Sequence, residues 1–253
     1  MPIKKRAHAS ELSDDGQSRA RLSRVSLWLI DLDDTIFNAS AGMLEAIHER
    51  MESFIAEKLD LAPEAAVRVQ KDYWRTYGAT FVGLARHHAV PPEEFFRATH
   101  DFDLRPYLKT TAGRARLREA IAALPGKKVV LTNGPGCYAH AVLRALGIEN
   151  LFAGVVSASA MHICGKWRSK PDALLFARTA RQFGADVRRT CLVDDGPANL
   201  AAAKALGMRT VWCRGNRNDR PAVIAHPWAE SVIEHLEDLP RLVVRGPKVL
   251  ARG

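Results

Sequence analysis

The chain has 253 residues, 47% apolar and 26% charged, a balance that suits one packed core with room for a smaller second lobe. No apolar run approaches the roughly 18 to 20 residues needed to cross a bilayer, and the first 24 residues lack the pattern of a secretory signal, so the reading is a cytoplasmic protein with no membrane partner. The formal net charge of +9 is concentrated at the ends, +3 in residues 1–24 and +4 in 241–253, which leaves a nearly balanced body and argues against a stable nucleic-acid partner.

Residues 1–24 show no sustained periodicity and read as a disordered basic leader, with 241–253 a basic tail. Val25-Ser26-Leu27-Trp28-Leu29-Ile30 suits a short buried strand, and it ends in the acids of Asp31-Leu32-Asp33-Asp34-Thr35. Met43, Leu44, Ile47, Met51, Phe54 and Ile55 then recur at spacings of three and four, the mark of an amphipathic helix. Pro63, Gly78 with Gly83, and Pro91-Pro92 punctuate further helical stretches, so an all-helical insert of about sixty residues is expected.

Alternating texture follows. Lys128–Leu131 reads as a strand ending in Thr132-Asn133-Gly134, and a helix from about Tyr138 stops at Gly147. Gly154–Ser157 is a strand, Pro171–Phe183 a helix, Thr190–Val193 a strand ending in Asp194-Asp195, Pro197–Leu206 a helix, and Arg209–Trp212 a last strand. This α/β alternation implies a parallel sheet covered by helices on both faces, with ligands beyond the carboxyl ends of its strands. Cys137, Cys164, Cys191 and Cys213 form no CxxC pair, which argues for reduced, mostly buried thiols.

The polar residues at those ends carry the chemistry. Asp31 and Asp33, two apart on an extended chain, can face one ligand, and neither tolerates burial without a cation or a proton. A capped helix start accounts for one residue of the Asp31-x-Asp33-x-Thr35 set but not for all three. Thr132 can donate to a phosphate oxygen, and the amides of Asn133 and Gly134 can form an anion nest. Lys170, just before the helix expected at Pro171, can neutralise a phosphate and a carboxylate together; Lys166 competes for that role. The pair Asp194-Asp195 suggests a hard divalent cation held through oxygen.

In this order the four sets resemble the haloacid dehalogenase superfamily over about residues 25–215: Asp31-x-Asp33-x-Thr35 matches its first motif, Thr132 its second, Lys170 its third and Asp194-Asp195 its fourth. The resemblance implies a Rossmann-like core, residues 25–41 and 109–240, with a small helical cap, residues 42–108, inserted after the first strand. It makes Asp31 the covalent nucleophile and Asp33 the general acid and base. Mg2+ would be held by Asp31, the Asp33 carbonyl and Asp195, with Asp194 direct or through water and Asn199 in support. An acid at position 33 favours phosphoryl transfer, because halide leaves without a proton.

Leu27–Thr35, Tyr73-Trp74-Arg75-Thr76-Tyr77-Gly78 and Val193-Asp194-Asp195 with Asn199 further resemble the pyrimidine 5′-nucleotidase branch. That resemblance implies a small phosphate ester, a pyrimidine nucleoside 5′-monophosphate, as substrate, and Tyr73, Trp74, Tyr77 and Phe81 could offer its base a stacking face with Arg75 or His87 nearby. The expected assembly is a monomer or homodimer. A sugar-phosphate or phosphoglycolate phosphatase, or a phosphomutase, would share every motif.

Overall fold

Leu27–Ile30 forms strand β1 with all four side chains buried, as a strand covered on both faces requires. In the computed structural model, which describes residues 22–108, 114–215 and 226–243, four helices follow: α1 (Met43–Leu59), α2 (Pro63–Tyr77), α3 (Thr80–His88) and α4 (Pro92–His100). Helix α5 (Arg114–Ala123) leads to strand β2 (Lys127–Leu131), helix α6 (Gly136–Ala145) and strand β3 (Gly154–Val156). A hairpin of β4 (His162–Ile163) and β5 (Lys166–Trp167) precedes α7 (Ala173–Gln182) and β6 (Thr190–Asp194). Helix α8 (Pro197–Ala205), β7 (Arg209–Cys213) and β8 (Ser231–Ile233) complete the order.

Six strands form one parallel sheet in the order β3-β2-β1-β6-β7-β8, the Rossmann-like arrangement expected. Leu29 at its centre lies beside Val129 of β2 and Leu192 of β6. Alternation along the strands sends side chains to two faces. Trp28, Ile30, Val130 and Val193 pack with Ala139, Val142 and Leu143 of α6 on one side. Leu27, Leu29, Val129 and Leu192 pack with Leu175 and Phe176 of α7 and Leu200 of α8 on the other. Each such fully buried side chain contributes about 1.5–3 kcal/mol relative to exposure.

Helices α1 to α4 contribute Ile55, Ala66, Phe81, Leu84, Phe95 and Phe96 to a third cluster, which also takes in Ala158 and the flank of Trp167. Gly78 ends α2 in left-handed backbone at φ 76°, as a helix-closing glycine does. Gly83 is no breaker. It lies inside α3, where an added Cβ would sit 2.2 Å from the Tyr73 ring, so it is a notch that lets α2 and α3 approach.

Several other expectations shift. Leu22 is fully buried and its carbonyl accepts the Val25 amide at 3.1 Å, so packing is established within the segment read as leader. Residues 1–21 of that leader and 244–253 of the tail lie outside the described residues. The helix expected from Pro171 begins at Ala173, because the Asp172 carboxylate caps it by accepting the Leu174 and Leu175 amides at 2.8 and 3.3 Å. The β4–β5 hairpin turns at Cys164 and Gly165, both with positive φ, and its two-residue strands are too short to show a period. Of the four free cysteines, Cys191 and Cys213 are buried, but Cys137 and Cys164 are exposed. No helix among the described residues is long and apolar enough to cross a membrane.

Candidate active site

Because every strand of the sheet runs the same way, the carboxyl ends of β1, β2 and β6 open on one edge, with β1 between the other two. Asp31 follows β1 directly and its amide still donates to Val193 of β6 at 2.9 Å; Thr132 follows β2 and donates to Val156 of β3 at 3.0 Å. Asp194 is the last residue of β6. Into this edge the loop ahead of α7 delivers Lys170, whose Nζ lies 2.6 Å from Asp31 Oδ1 and 2.8 Å from Asp194 Oδ2. All three side chains are buried. Lys166, the other lysine considered, is exposed on β5, whereas Lys170 is buried against Asp31 and Asp194.

Asp31, Asp194 and Asp195 bring carboxylate oxygens within 4.8 Å of one another. An all-oxygen acidic set of this kind fits a hard divalent cation. Asp194 accepts Lys170 on Oδ2, and on Oδ1 it accepts the Gly196 amide and the Asn199 side chain, each at 2.8 Å, so it ties Lys170 to the turn that follows β6. Burial raises the Asp31 carboxyl well above the usual carboxylate range; Lys170 opposes this, while Asp194 and Asp195 add to it. Burial alone would pull Lys170 down, but Asp194 and Asp31 overcome it and keep the ammonium charged.

Asp33 has a different partner. Its Oδ1 accepts a hydrogen bond of 2.6 Å from the Tyr138 hydroxyl in the first turn of α6. Burial pushes its carboxyl up to about 6, with Tyr138 and Lys170 pulling the other way. Asp34, the third acid of the cluster, sits at φ 59° and accepts the Ser40 amide at 2.7 Å together with the Ser40 hydroxyl, so it closes its own turn.

The loop after β2 is held by its own side chains. Thr132 Oγ1 accepts the Gly134 amide at 3.0 Å, which leaves the hydroxyl proton to donate. The Asn133 side chain donates to the carbonyls of Gly78 and Lys170 at 3.2 and 3.1 Å and accepts the Lys170 amide at 2.8 Å. Asn133 thus ties the end of α2 to the Lys170 loop, and only its backbone remains for a ligand. Ser169 Oγ adds a bond of 2.7 Å to the Tyr77 carbonyl.

Outside this seam lies a cleft of about 1410 Å³ between the helical segment and the sheet edge. Four of the chain's five tryptophans line it, Trp74, Trp167, Trp212 and Trp228, with Arg75 and Arg86 among the basic groups. Lys170 and Asn199 reach it, but Asp31 and Asp33 do not. Of the aromatics singled out on the helical segment, Trp74 is 66% exposed and Tyr77 lines the wall with its hydroxyl 2.6 Å from His87 Nε2. Phe81 is core, packed edge-on to Phe96 and Trp167, and Tyr73 stacks on His87.

Tyr138 and the clamp formed by Asn133 escaped the sequence reading. Tyr138 stands 105 residues from Asp33 and occupies a core position of its helix, so no spacing announced it.

Comparison with known proteins agrees with this fold. A phosphoglycolate phosphatase from Mesorhizobium japonicum is 26% identical over 228 residues, 83% of this chain and 91% of that protein. A HAD phosphatase from Thermococcus onnurineus has a TM-score of 0.54 at 19% identity, covering 86% of this chain and 97% of its own. An L-2-haloacid dehalogenase from Xanthobacter autotrophicus has a TM-score of 0.52 at 15% identity, covering 86% and 98%. At such identities the two structures speak for the fold alone. The family model of the haloacid dehalogenase-like hydrolases matches residues 25–207, a span that takes in all four motif loops and more than two thirds of the sequence, and the chain belongs to that family.

Proposed function

We propose that this hydrolase is a magnesium-dependent phosphomonoesterase in which Asp31 attacks phosphorus and carries the phosphoryl group as an aspartyl-phosphate. The observation that carries the reading is the Lys170 ammonium between Asp31 and Asp194, at 2.6 and 2.8 Å, beside a second carboxyl that can hold a proton near neutrality. As the Asp31 oxygen bonds to phosphorus, the ester P–O bond breaks, and protonated Asp33 gives its proton to the departing oxygen. Asp33, now a carboxylate, takes a proton from the water that hydrolyses the aspartyl-phosphate, which releases phosphate and restores Asp31. Lys170, the Thr132 hydroxyl and the amides of Asn133 and Gly134 hold the equatorial oxygens. Asp31, Asp195 and the Asp33 carbonyl would hold Mg2+, with Asp194 behind them; when bound, the ion offsets the repulsion between an anionic nucleophile and an anionic ester.

Different observations favour two leaving groups. The cleft beside Lys170, rich in tryptophan and arginine, suits a planar group larger than a short acid, which supports a pyrimidine nucleoside 5′-monophosphate with the helical segment as its cap and Trp74 and Tyr77 as base contacts. The likeness to a phosphoglycolate phosphatase favours the smaller phosphorylated acid. Phosphate release across nucleotides, sugar phosphates and phosphoglycolate, with magnesium, separates them by kcat/KM. Asp31→Asn or chelation should abolish release on every ester, and turnover near wild type in either case contradicts the mechanism. Transfer of phosphate to a second sugar phosphate, in place of water, would make the chain a mutase.

A further inference from the structure

Tyr138 is buried to 2% exposure, its ring set edge-on to His100 at 5.3 Å between centroids. A phenol in such a place needs a partner for its hydroxyl, and phenylalanine would fill the same space without that requirement. The partner is Asp33 Oδ1, at 2.6 Å. His100, the last residue of α4, pairs its Nδ1 with the Thr99 hydroxyl at 2.7 Å, and so braces the ring from the helical segment. A half-buried aspartate has a broad, two-fold terminal torsion, so either of its oxygens can face a ligand unless one is held. Tyrosine has few rotatable bonds, and here packing fixes them.

Resting on the phosphomonoesterase reading, we propose that Tyr138 is a positioning residue: it holds Oδ1 of Asp33 so that Oδ2 is presented to the leaving oxygen. The phenol itself transfers no proton to substrate.

A positioning role predicts a dependence on the leaving group that loosened packing does not. kcat/KM reports events up to departure of the leaving group, where Asp33 is the acid. p-Nitrophenolate departs without a proton, whereas the alkoxide of an alkyl phosphate needs one. For Tyr138→Phe in the full chain with magnesium, kcat/KM on the best alkyl phosphate of the panel should fall about tenfold or more, a fraction of what general acid catalysis contributes. On p-nitrophenyl phosphate it should stay within about threefold of wild type. In an Asp33→Ala background the same substitution should change neither rate, since the residue acts through Asp33. Equal losses on both esters, no loss on the alkyl ester, or an undiminished effect without Asp33 each overturn the inference while leaving the hydrolase reading intact. A wild-type chain that releases phosphate from neither ester overturns both.

Discussion

Asp31 and Asp33 leave the same strand end, yet the fold gives them opposite company: an ammonium for one and a phenol for the other. Burial lifts both carboxyls; the ammonium opposes that rise at Asp31, and at Asp33 the phenol opposes it. For Asp33 this has a measurable consequence in the ion-free protein. Its carboxyl titrates near 3.8 in an unfolded chain and is pushed up to about 6 in the folded one, so between those values the folded state binds more protons. Stability from this group is therefore greatest below about pH 4 and falls as pH rises toward 6, by roughly 3 kcal/mol at most. In urea unfolding with a chelator present, wild type measured against Asp33→Asn should lose ground by about 1–3 kcal/mol between pH 4.5 and 7.5. A difference that does not change with pH would contradict the assigned environment. The acids themselves were legible because carboxylates after an apolar strand have no structural excuse. Their partners were not, since Tyr138 looks like any aromatic on a helix face.

At the scale of elements, the seam between the end of α2 and the Lys170 loop decides how firmly the site is closed. A Cβ on Gly78 would lie 2.4 Å from the Lys170 carbonyl and 3.0 Å from Ser169 Oγ, and the residue already needs left-handed backbone. Gly78→Ala must then push α2 away from the loop that sets the ammonium. A displacement of that order can cost up to about a hundredfold in rate. We expect turnover to drop at least tenfold, beyond what the accompanying loss of stability accounts for. Gly83→Ala meets the Tyr73 side chain within the helical segment first, so it should destabilise by about 1–3 kcal/mol and leave turnover within about threefold. Initial rates and thermal melts of the two variants separate these outcomes; equal turnover would mean the seam does not hold Lys170. Long periodic elements such as α1, and buried runs such as β1 and β6, were readable from their side chains. The β4–β5 hairpin, the three-residue β8 and the true start of α7 were not, because pairing partners, and a capping aspartate one residue past a proline, decide them. The Asn133 clamp joins backbone 55 and 37 residues away, a relation that exists only once the chain has folded.

For the whole molecule, the strand order is what turns scattered motifs into one site. With β1 between β2 and β6 and all strands parallel, residues 31, 132 and 194 must emerge side by side, whatever the length of the helical segment inserted after β1. That is why the motif order could be read so far ahead of the structure, whereas the leaving group, set by the cleft beyond the seam, could not. The same convergence concentrates acid at the sheet edge, where Asp31, Asp194 and Asp195 gather and the first two pair with Lys170. A divalent cation bound there stabilises only the folded chain, because unfolding scatters its ligands over more than 160 residues of sequence. At a hundred times its dissociation constant, magnesium should add about 2.7 kcal/mol. In a chain of this size that corresponds to a rise in Tm of roughly 5–10 °C. On the proposed metal reading, Asp195→Asn leaves the Lys170 pairs with Asp31 and Asp194 in place, and the rise in Tm that magnesium gives, measured against the same variant without the ion, should largely vanish. Differential scanning calorimetry with and without magnesium tests both halves. A wild type indifferent to the ion, or a variant that responds as fully as wild type, would show that the carboxylates at this edge serve some purpose other than holding a metal.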